Sequence, residues 1–343
     1  MAAALALGRR TRGRTAPNPN VGCVIVGDGR VVGRGWTQPG GRPHAEAVAL
    51  AEAGEAARGA TAYVTLEPCA HASPRGPACA DLLIAAGVAR VVAGLRDPDP
   101  RTNGAGLARL AATGAAVVAG VEAEAAERSM AGFLTRRALG RPHVTLKLAT
   151  SLNGCIALAS GESRWITGPE ARAHAHLERA RHEAILVGRG TREADAPKLD
   201  VRLAGLEERS PLRIVLTGHP HPSPLRVSPS PEGRGKGPAA SGGGKGEGEW
   251  VYIAAPSAIA TLPNTDHLLI EGGARAAAAF LAADLVDRLL LYRAPVIIGG
   301  GLPSIASIGM TTLSEAHGRW RRVDRRTLGS DTLEVYQRTR NED

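Results

Sequence analysis

Runs of apolar residues divide the first part of the chain into strands and helices. An apolar run over residues 21–26, a Gly-Asp-Gly turn and a second run over 30–33 predict a β-hairpin. An alanine-rich stretch over 46–60 predicts a helix, 61–66 predicts a short strand, and 78–86 predicts a second helix. Strands that alternate with helices in this way predict an α/β layer.

A second β-rich pattern begins at about residue 141, after a predicted helix over 123–137. Because 343 residues exceed one ordinary core, we expect two domains, residues 1–140 and residues 141–343. Residues from about 219 to 249 are too rich in Gly, Pro and Ser to build a core, so we expect a disordered insertion there. The ordered pattern resumes with apolar runs at 250–254 and 267–270, a helix over 274–282 and a strand over 288–294.

Composition narrows the classes of partner. The formal net charge of +9 would suit nucleic acid, but aromatic residues make up only 3% of the chain, so few side chains could stack on unpaired bases. We therefore expect a small phosphorylated molecule as ligand and no nucleic acid. Two of the four cysteines belong to the metal motif described below, and Cys23 and Cys155 stand singly in apolar or turn contexts, so no disulfide framework is implied. The N-terminal apolar stretch is too short for a signal peptide. Since no apolar run approaches membrane-spanning length, we expect a cytoplasmic protein without membrane contact.

The stretch around His44 supplies the residue types of a catalytic zinc site. His44, Cys69 and Cys79 provide one imidazole and two thiolates, and three such ligands leave the fourth corner of a tetrahedral Zn²⁺ open for water. Glu46 follows His44 by two residues, which suits a general acid and base that carries a proton from that water to a departing amine. His-x-Glu followed by Pro-Cys and a second Cys is the pattern of zinc-dependent nucleobase deaminases. Nine residues separate the two cysteines, where that pattern has two, and we expect the longer loop to shape the substrate pocket.

An ordinary interpretation of the same residues is a helix-start histidine, two buried thiols and a surface glutamate. All four, together with the flanking prolines, would then have to coincide by chance, so we prefer the zinc site. Glycine-rich turns elsewhere match no complete phosphate motif. Gly244-Lys245 is not followed by Ser or Thr, and residues 188–190 lack the third glycine of a dinucleotide fingerprint. A glycine turn at a strand end can still hold a cofactor phosphate through backbone N–H groups.

Several motifs along the chain occur together in one family of enzymes. The metal motif alone fits any cytidine-deaminase-like enzyme, whereas its combination with motifs in the second half is specific, and the match spans nearly the whole chain apart from the insertion. The motifs are Thr-Ala-Pro-Asn-Pro-Asn-Val-Gly at 15–22, Pro-His-Ala-Glu at 43–46, Thr-Leu-Glu-Pro-Cys-Ala-His at 65–71, Arg-Asp-Pro-Asp-Pro at 96–100, Lys-Leu-Ala-Thr-Ser-Leu-Asn-Gly at 147–154, Gly-Glu-Ser-Arg-Trp-Ile-Thr at 161–167, and the spaced set Val187, Gly188, Thr191, Asp195, Pro197, Leu199 and Arg202.

These motifs together resemble the bifunctional deaminase-reductases of riboflavin biosynthesis, and the resemblance implies a fold and two reactions. It implies a cytidine-deaminase-like three-layer zinc domain of the α/β class, followed by a domain similar to dihydrofolate reductase. The first would hydrolyse the ring amine of 2,5-diamino-6-ribosylamino-4(3H)-pyrimidinone 5′-phosphate, and the second would use NADPH to reduce the ribosyl group to ribityl. A homo-oligomer formed through the reductase domain is a further implication of the family.

Carried over to matching positions, the resemblance assigns residues to both sites. Asn18, Arg75 and Asp97 would shape the deaminase pocket, with Arg75 as a phosphate contact. His71 could compete as a metal ligand, although His44 and the two cysteines suffice in the family pattern. Taken singly, Trp165 would be interpreted as a core residue and Arg179 as part of a solvated helix face. The resemblance instead implies NADPH contacts at Ala149, Trp165, Thr191, Asp195 and Gly273, and substrate contacts at Lys147, Ser163, Arg179, Leu199, Arg202 and Glu271.

Two other functions stay open on the residues alone. A nucleic-acid or nucleoside deaminase with an inactive second domain would bind RNA or DNA in a salt-dependent way and would not use NADPH. A non-catalytic zinc scaffold would be indifferent to replacement of Glu46. The reductase motifs disfavour the first, and the open coordination position beside a carboxylate disfavours the second.

Overall fold

A computed structural model describes residues 1–71, 73–218 and 250–339, so the predicted insertion at 219–249 lies outside the described residues. The chain forms two compact units. The first comprises Met1–His143 together with the short segments Ala180–Glu183 and Ala260–Leu268. The second comprises Val144–Arg179, Ala184–Ile259 and Leu269–Asp343. Two segments from later in the sequence are thus part of the first unit.

The first unit alternates helices and strands along the chain. They are α1 (Ala2–Gly8), β1 (Gly22–Gly27), β2 (Arg30–Trp36), α2 (Ala45–Ala53), β3 (Thr61–Leu66), α3 (Cys79–Ala85), β4 (Arg90–Leu95), α4 (Ala105–Ala112), β5 (Ala116–Val118), α5 (Ala123–Ser129) and α6 (Ala131–Leu139), with single-turn 3-10 helices at Arg9–Thr11, Pro39–Gly41 and Gly54–Ala57.

A five-stranded sheet lies at the centre of this unit, in the order β2-β1-β3-β4-β5. Strand β1 pairs antiparallel with β2 and β3, whereas β3, β4 and β5 are parallel. Helix α2 packs so closely on β2 that a Cβ atom at Gly33 or Gly35 would collide with the backbone carbonyls of Ala49 and Ala45. The small residues on both elements therefore bring the start of α2 against the sheet.

The predicted hairpin, the strand at 61–66 and the order of elements in this unit are confirmed. Two predicted helices, over 46–60 and over 123–137, differ from the structure. The first ends at Ala53, because Gly54 takes a positive φ of 54° and a 3-10 turn follows. The second is two helices, α5 and α6, which meet at Met130, whose φ of −108° and ψ of 18° are not helical. Apolar spacing continues across that break, so the pattern predicts one helix where the backbone forms two.

The second unit is built mainly of strands. The elements that follow along the chain are β6 (His143–Thr150), β7 (Cys155–Ala157), α7 (Pro169–Arg179), β8 (Ala184–Gly188), α8 (Arg189–Asp195), β9 (Leu212–Leu216), β10 (Trp250–Ile253), β11 (His267–Glu271), α9 (Ala274–Ala282), β12 (Arg288–Arg293), β13 (Leu302–Pro303), β14 (Trp320–Leu328) and β15 (Asp331–Arg338), with 3-10 turns at Glu207–Arg209, Pro256–Thr261 and Leu313–Ala316.

An eight-stranded mixed sheet forms the body of the second unit, in the order β10-β9-β8-β11-β6-β12-β15-β14. Strands β8, β9 and β10 are parallel, and so are β6 and β12, whereas β15 pairs antiparallel with β12 and β14. Strands β7 and β13 form a separate two-stranded sheet. The predicted α/β class is confirmed for both units. In the part of the chain that the structure describes, no helix is long and apolar enough to cross a bilayer.

Candidate deaminase and reductase sites

His44, Cys69 and Cys79 converge where two helices begin. His44 is the N-cap residue of α2, Cys79 is the first residue of α3, and Cys69 follows the end of β3. His44 Nδ1 lies 3.3 Å from Cys79 Sγ and 3.8 Å from Cys69 Sγ. The three donor atoms lie within 4.8 Å of one another, which is the spacing that a single metal ion bridges.

The chemistry of these three donors fits zinc. The backbone N–H of Cys79 donates to Cys69 Sγ at 3.3 Å. Together with a hydrogen bond from the Cys79 side chain, which is the largest influence, it lowers the pKa of Cys69 to about 4. One sulfur is thus a thiolate near neutrality, and a nitrogen and a second sulfur lie beside it. His71 lies apart from this group, with its Nδ1 3.3 Å from Thr102 Oγ1.

Glu46 lies in the first turn of α2, and its side chain is almost completely buried, with 3% of the residue exposed. Burial is the main influence on its carboxyl and raises the pKa to about 7, against the opposing effect of His44. A carboxyl group with a pKa near neutrality can both accept and release a proton under physiological conditions. It therefore has the property that a general acid and base requires.

A cleft of about 370 Å³ is lined by His44, Cys69 and Glu46 and also by all three residues that the resemblance assigned to the deaminase pocket. Asn18 Nδ2 donates to the carbonyl oxygen of Gly41 at 2.7 Å, and the same amide lies 3.3 Å from His44 Nε2. Asp97 is buried, and burial raises its pKa to about 6. Its carboxylate accepts the backbone N–H of Asp99 at 2.9 Å.

Ser73, Pro74 and Arg75, from the loop between the two cysteines, line the cleft, and a role of this loop in shaping a substrate pocket stays a prediction. Ser73 and Gly76 pair through two backbone hydrogen bonds of 3.0 Å, so Pro74 and Arg75 lie at the tip of a tight turn. Arg75 is exposed, and its Nη1 donates to the carbonyl oxygen of Gly40 at 3.2 Å. Its guanidinium is thus at the rim of the cleft, where a charged group of a ligand would remain in contact with water.

Several other residues that line the cleft had no recognisable motif in the sequence. Phe133 and Arg137 come from α6, and Arg101 comes from the turn after β4. Arg101 and Arg137 both pair with the buried carboxylate of Asp99, at 2.6 and 2.9 Å. No motif pointed to α6, because an arginine and a phenylalanine four residues apart on an ordinary amphipathic helix predict only that the two share a face.

Glu67 has a structural role that its place in the Leu-Glu-Pro-Cys motif did not reveal. Its buried carboxylate accepts backbone N–H groups from Asp97 at 3.1 Å, Gly104 at 2.8 Å, Gly106 at 2.9 Å and Leu107 at 3.2 Å. These bonds connect the turn after β4 to the chain just before Cys69. The cleft residue Asp97 is therefore held at a fixed position relative to the metal ligands.

Three of the residues assigned to the reductase substrate form one ionic cluster in the second unit. Arg179, at the end of α7, donates from Nε to Glu271 Oε1 at 2.7 Å and from Nη2 to Oε2 at 2.8 Å. Lys147 Nζ lies 3.8 Å from the same carboxylate. Burial alone would raise the pKa of Glu271, but the charges of Arg179 and Lys147 outweigh it and lower the pKa to about 2. Glu271 is thus an anion at any physiological pH.

Leu199 and Arg202 lie beside this cluster. Arg179 Nη1 donates to the carbonyl oxygen of Asp200 at 2.9 Å, and Arg202 Nε lies 3.5 Å from Asp200 Oδ1. Leu199 is buried with a positive φ of 53°. A guanidinium that is only 13% exposed is not part of a solvated helix face, so the single-residue interpretation of Arg179 is wrong.

Thr191 lies against the turn after β11, because a Cβ at Gly273 would be 2.9 Å from Thr191 Oγ1. Asp195 accepts a hydrogen bond from Arg164 Nη2 through its backbone oxygen at 3.3 Å. Trp165 is 67% exposed, so the single-residue interpretation as a core residue is also wrong. The remaining assigned residues are Ala149, which pairs with Tyr292 in the main sheet, and Ser163, which is half-buried.

Comparison with known proteins adds two family matches. The model described as the cytidine and deoxycytidylate deaminase zinc-binding region matches residues 1–95. The model described as the RibD C-terminal domain matches residues 142–234 and 245–333.

Relatives match over nearly the full length. The riboflavin biosynthesis protein RibD of Escherichia coli (strain K12) is 41% identical, covering 92% of this chain and 92% of the relative. RibD of Aquifex aeolicus is 37% identical, covering 98% of this chain and 97% of the relative. Among solved structures, Acinetobacter baumannii RibD aligns with a TM-score of 0.81 at 34% identity, covering 99% of this chain and 98% of that one. The diaminohydroxyphosphoribosylaminopyrimidine deaminase/5-amino-6-(5-phosphoribosylamino)uracil reductase of Thermotoga maritima aligns with a TM-score of 0.82 at 31% identity, covering 99% and 97%.

Proposed function

This chain belongs to the RibD family, the bifunctional deaminases and reductases of riboflavin biosynthesis, and from that premise we propose which residues carry each reaction. The first reaction removes the ring amine of 2,5-diamino-6-ribosylamino-4(3H)-pyrimidinone 5′-phosphate by hydrolysis. The second reduces the ribosyl group of the product to ribityl. The observation that carries the proposal is that a buried carboxyl of near-neutral pKa, Glu46, and three clustered metal donors line or adjoin one cleft.

Deamination takes place in the cleft of the first unit. His44, Cys69 and Cys79 would hold a zinc ion, which would supply the Lewis acidity that lowers the pKa of water toward neutrality. Glu46 accepts a proton from the attacking water and delivers it to the amine nitrogen. A C–O bond forms, the C–N bond breaks, and the amine leaves as ammonia. The near-neutral pKa of Glu46 supports this role, because the same group must gain and then lose the proton.

Polar groups around the cleft orient the pyrimidine. The Asn18 amide and the Asp97 carboxyl provide donors and acceptors on the walls, and both are held by backbone groups, at Gly41 and Asp99. Arg75 at the rim binds the phosphate, for which its planar fork of donors is suited. Because Asp97 is protonated below about pH 6, it can donate as well as accept a hydrogen bond in mildly acidic solution.

Reduction takes place around Glu271 in the second unit. NADPH supplies the hydride when bound, and the protein mainly has to align the nicotinamide with the ribose carbon. Arg179 and Arg202 bind the substrate phosphate, while Glu271 and Lys147, with Ser163 and Leu199, hold the ribosyl chain. The bidentate contact between Arg179 and Glu271 fixes both groups before any ligand binds.

NADPH contacts are proposed at Ala149, Trp165, Thr191, Asp195 and Gly273. The turn that leads into α9 supports the last of these. Gly272 and Gly273 have positive φ values of 93° and 80°, and backbone N–H groups at the start of α9 have no intrahelical partner, so the turn can receive a phosphate. A homo-oligomer formed through the reductase unit stays a prediction, which analytical ultracentrifugation would test.

The experiment that tests the proposal follows ammonia release and NADPH absorbance together on zinc-loaded protein supplied with the diaminopyrimidine ribosyl phosphate. Both signals are expected, and both are expected to vanish in Glu46→Gln, since reduction waits for deamination. The deaminated substrate, added directly, should still be reduced by that variant. Ammonia without NADPH oxidation would contradict the reductase assignments, and the absence of both signals in the unaltered protein would contradict the whole proposal.

A further inference from the structure

Helix α6 presents two pairs of residues to different neighbours within the first unit. Phe133 and Arg137, four residues apart, line the deaminase cleft. Gly132 and Arg136, each one residue earlier, contact the segment Ala260–Leu268. A step of one residue rotates a helix by about 100°, so the two pairs occupy adjacent faces. The face that lines the cleft is thus oriented by whatever holds the neighbouring face.

Arg136 connects α6 to this segment by hydrogen bonds to backbone carbonyl oxygens. Its Nη1 donates to the carbonyl oxygen of Ala260 at 3.2 Å, and its Nη2 donates to the carbonyl oxygens of Leu262, at 3.1 Å, and of Thr265. Nη1 also donates to the carbonyl oxygen of Gly140, at the end of α6, at 3.1 Å. The rigid planar guanidinium can satisfy several carbonyls at once, which the single ammonium of a lysine cannot do in the same geometry.

His267 binds the N-terminal end of α6. Its Nε2 accepts the backbone N–H of Gly132 at 3.2 Å, one of the first N–H groups of α6, which have no partner inside the helix. Its Nδ1 lies 3.2 Å from Glu183 Oε2, which also accepts the backbone N–H of His267 at 2.7 Å. Because Nε2 accepts, the proton of a neutral ring is on Nδ1, directed at Glu183. A Cβ at Gly132 would collide with the imidazole ring, so the contact requires glycine there.

We propose that the segment Ala260–Leu268 is a positioning element of the deaminase cleft: through Arg136 and His267 it fixes the helix that presents Phe133 and Arg137 to the substrate. This inference rests on the proposed function, since it takes the cleft to be the pyrimidine site. Arg137 in turn holds Asp99 at 2.9 Å. The segment lies more than 100 residues after α6 in the sequence, and it runs from the 3-10 turn after β10 into the first two residues of β11. The deaminase cleft therefore depends on a part of the chain far beyond the zinc motifs.

The zinc donors and Glu46 lie at α2, at α3 and after β3, and none of them lies on α6. Loosening α6 is therefore expected to weaken substrate binding and to leave the chemical step nearly intact. The readouts are a KM for deamination that rises while kcat does not fall, and a zinc content that does not change. Reduction of separately supplied deaminated substrate in the same preparation reports whether the rest of the chain is folded.

The first variant is Arg136→Met in the full-length protein. We expect the KM for deamination to rise about tenfold, with kcat within about twofold of the unaltered protein. Zinc content and reduction should be unchanged. The matched control is Arg128→Met on α5, whose exposed side chain pairs with Glu124 at 3.0 Å and does not line the cleft. It should leave the KM for deamination unchanged.

A second pair of variants keeps the test decisive if Arg136→Met does not fold. His267→Leu removes the acceptor for the Gly132 N–H group and should raise the KM for deamination, whereas His267→Gln retains an acceptor oxygen near the position of Nε2 and should restore most of the binding. An unchanged KM in His267→Leu, or equal effects of the leucine and glutamine variants, would overturn the inference. A loss of reduction in parallel with the loss of deamination would also overturn it, because His267 would then stabilise the whole chain and not position α6 in particular. If the unaltered protein releases no ammonia, the proposed function itself fails.

Discussion

Each unit buries a glutamate for which we propose a role in its reaction, Glu46 in the first and Glu271 in the second, and the two carboxyl groups behave in opposite ways. Glu46 is 3% exposed and its pKa rises to about 7, whereas Glu271 is 7% exposed and its pKa falls to about 2. Burial disfavours the charged form of both. The difference comes from the neighbours. The cations of Arg179 and Lys147 outweigh the effect of burial on Glu271, whereas the opposing effect of His44 on Glu46 is smaller than that of burial, and the charge of Cys69 raises the pKa of Glu46 further. Similar burial thus leaves one carboxyl group able to exchange a proton near neutral pH and keeps the other permanently ionised.

The change expected to have the largest effect is Glu46→Gln. The glutamine cannot take a proton from water, so the deamination rate should fall about a thousandfold, within the range of general acid–base catalysis. Reduction of supplied deaminated substrate should be unchanged. Ammonia release and NADPH absorbance measure the two rates. Glu52→Gln is the matched control, since Glu52 lies on the same helix and pairs with Arg34 at the surface, at 3.0 Å. Near-normal deamination in Glu46→Gln would show that another group carries the proton.

The next largest effect is expected from replacing Arg179, the ion-pair partner of Glu271. Arg179→Met leaves Glu271 with Lys147 alone, 3.8 Å away, so the carboxylate loses both bidentate bonds and shifts. We expect the rate of reduction to fall about a hundredfold, with deamination unchanged. Arg179→Lys keeps the charge but not the bidentate geometry, and it should lie between the two.

The control for this prediction is Arg319→Met, which removes an arginine from a surface ion pair with Asp284, 3.1 Å long. It should leave reduction unchanged. Equal losses of reduction in Arg179→Met and in this control would indicate a general loss of stability in the second unit, and the assignment of Arg179 to the substrate would then have no support.

How much the sequence predicts differs between the same two units. His44, Glu46, Cys69 and Cys79 belong to types that few other roles would bring together at that spacing, so the chemistry of the cluster followed from the residues alone. Lys147, Arg179 and Glu271 come from three distant elements, and an arginine or glutamate by itself predicts only surface charge. Their meeting depends on strand pairing in the main sheet, which local patterns do not specify. Only the family resemblance predicted that these three residues share a site.

Other features of the deaminase cleft were beyond sequence reasoning for a related reason. Glu67 accepts four backbone N–H groups, and a motif cannot show that a glutamate serves the backbone and not a ligand. Arg137 and Phe133 reach the cleft from a helix that the pattern joined to its neighbour, because the break at Met130 left the apolar spacing unchanged. The segment Ala260–Leu268 reaches the first unit from far along the chain, and such long-range packing leaves no local signal.

Stability as a function of pH should sharpen the contrast between raised and lowered carboxyl pKa values. Glu271, with a pKa of about 2 against an ordinary value of 4.5, stabilises the fold at higher pH, and this contribution is lost as the pH falls from about 4.5 to about 2. The stability advantage of the unaltered protein over Glu271→Gln should therefore shrink by about 1 to 3 kcal/mol across that window. Urea unfolding followed by circular dichroism at several pH values measures the difference.

Asp97 should show the opposite sign. Its pKa is raised to about 6 from an ordinary value of 3.8, so its contribution is greatest at acidic pH and is lost as the pH rises between those values. Relative to Asp97→Asn, the unaltered protein should therefore lose stability from about pH 4 to pH 6. If the stability differences of Glu271→Gln and Asp97→Asn from the unaltered protein changed in the same direction with pH, the opposite effects proposed for the two carboxyl groups would be contradicted.

The smallest effect is expected at Arg75, which shares a proposed phosphate-binding role with Arg179 but not its burial. The Arg75 side chain is exposed at the rim of the cleft, where water and salt screen its charge. Arg75→Met should therefore raise the KM for deamination only about fivefold, with kcat unchanged, and the difference should diminish at high ionic strength. Arg58→Met, another exposed arginine that does not line the cleft, is the control. A fall in kcat without a change in KM would mean that Arg75 acts on the reacting ring, and burial would then no longer account for the difference between the two arginines.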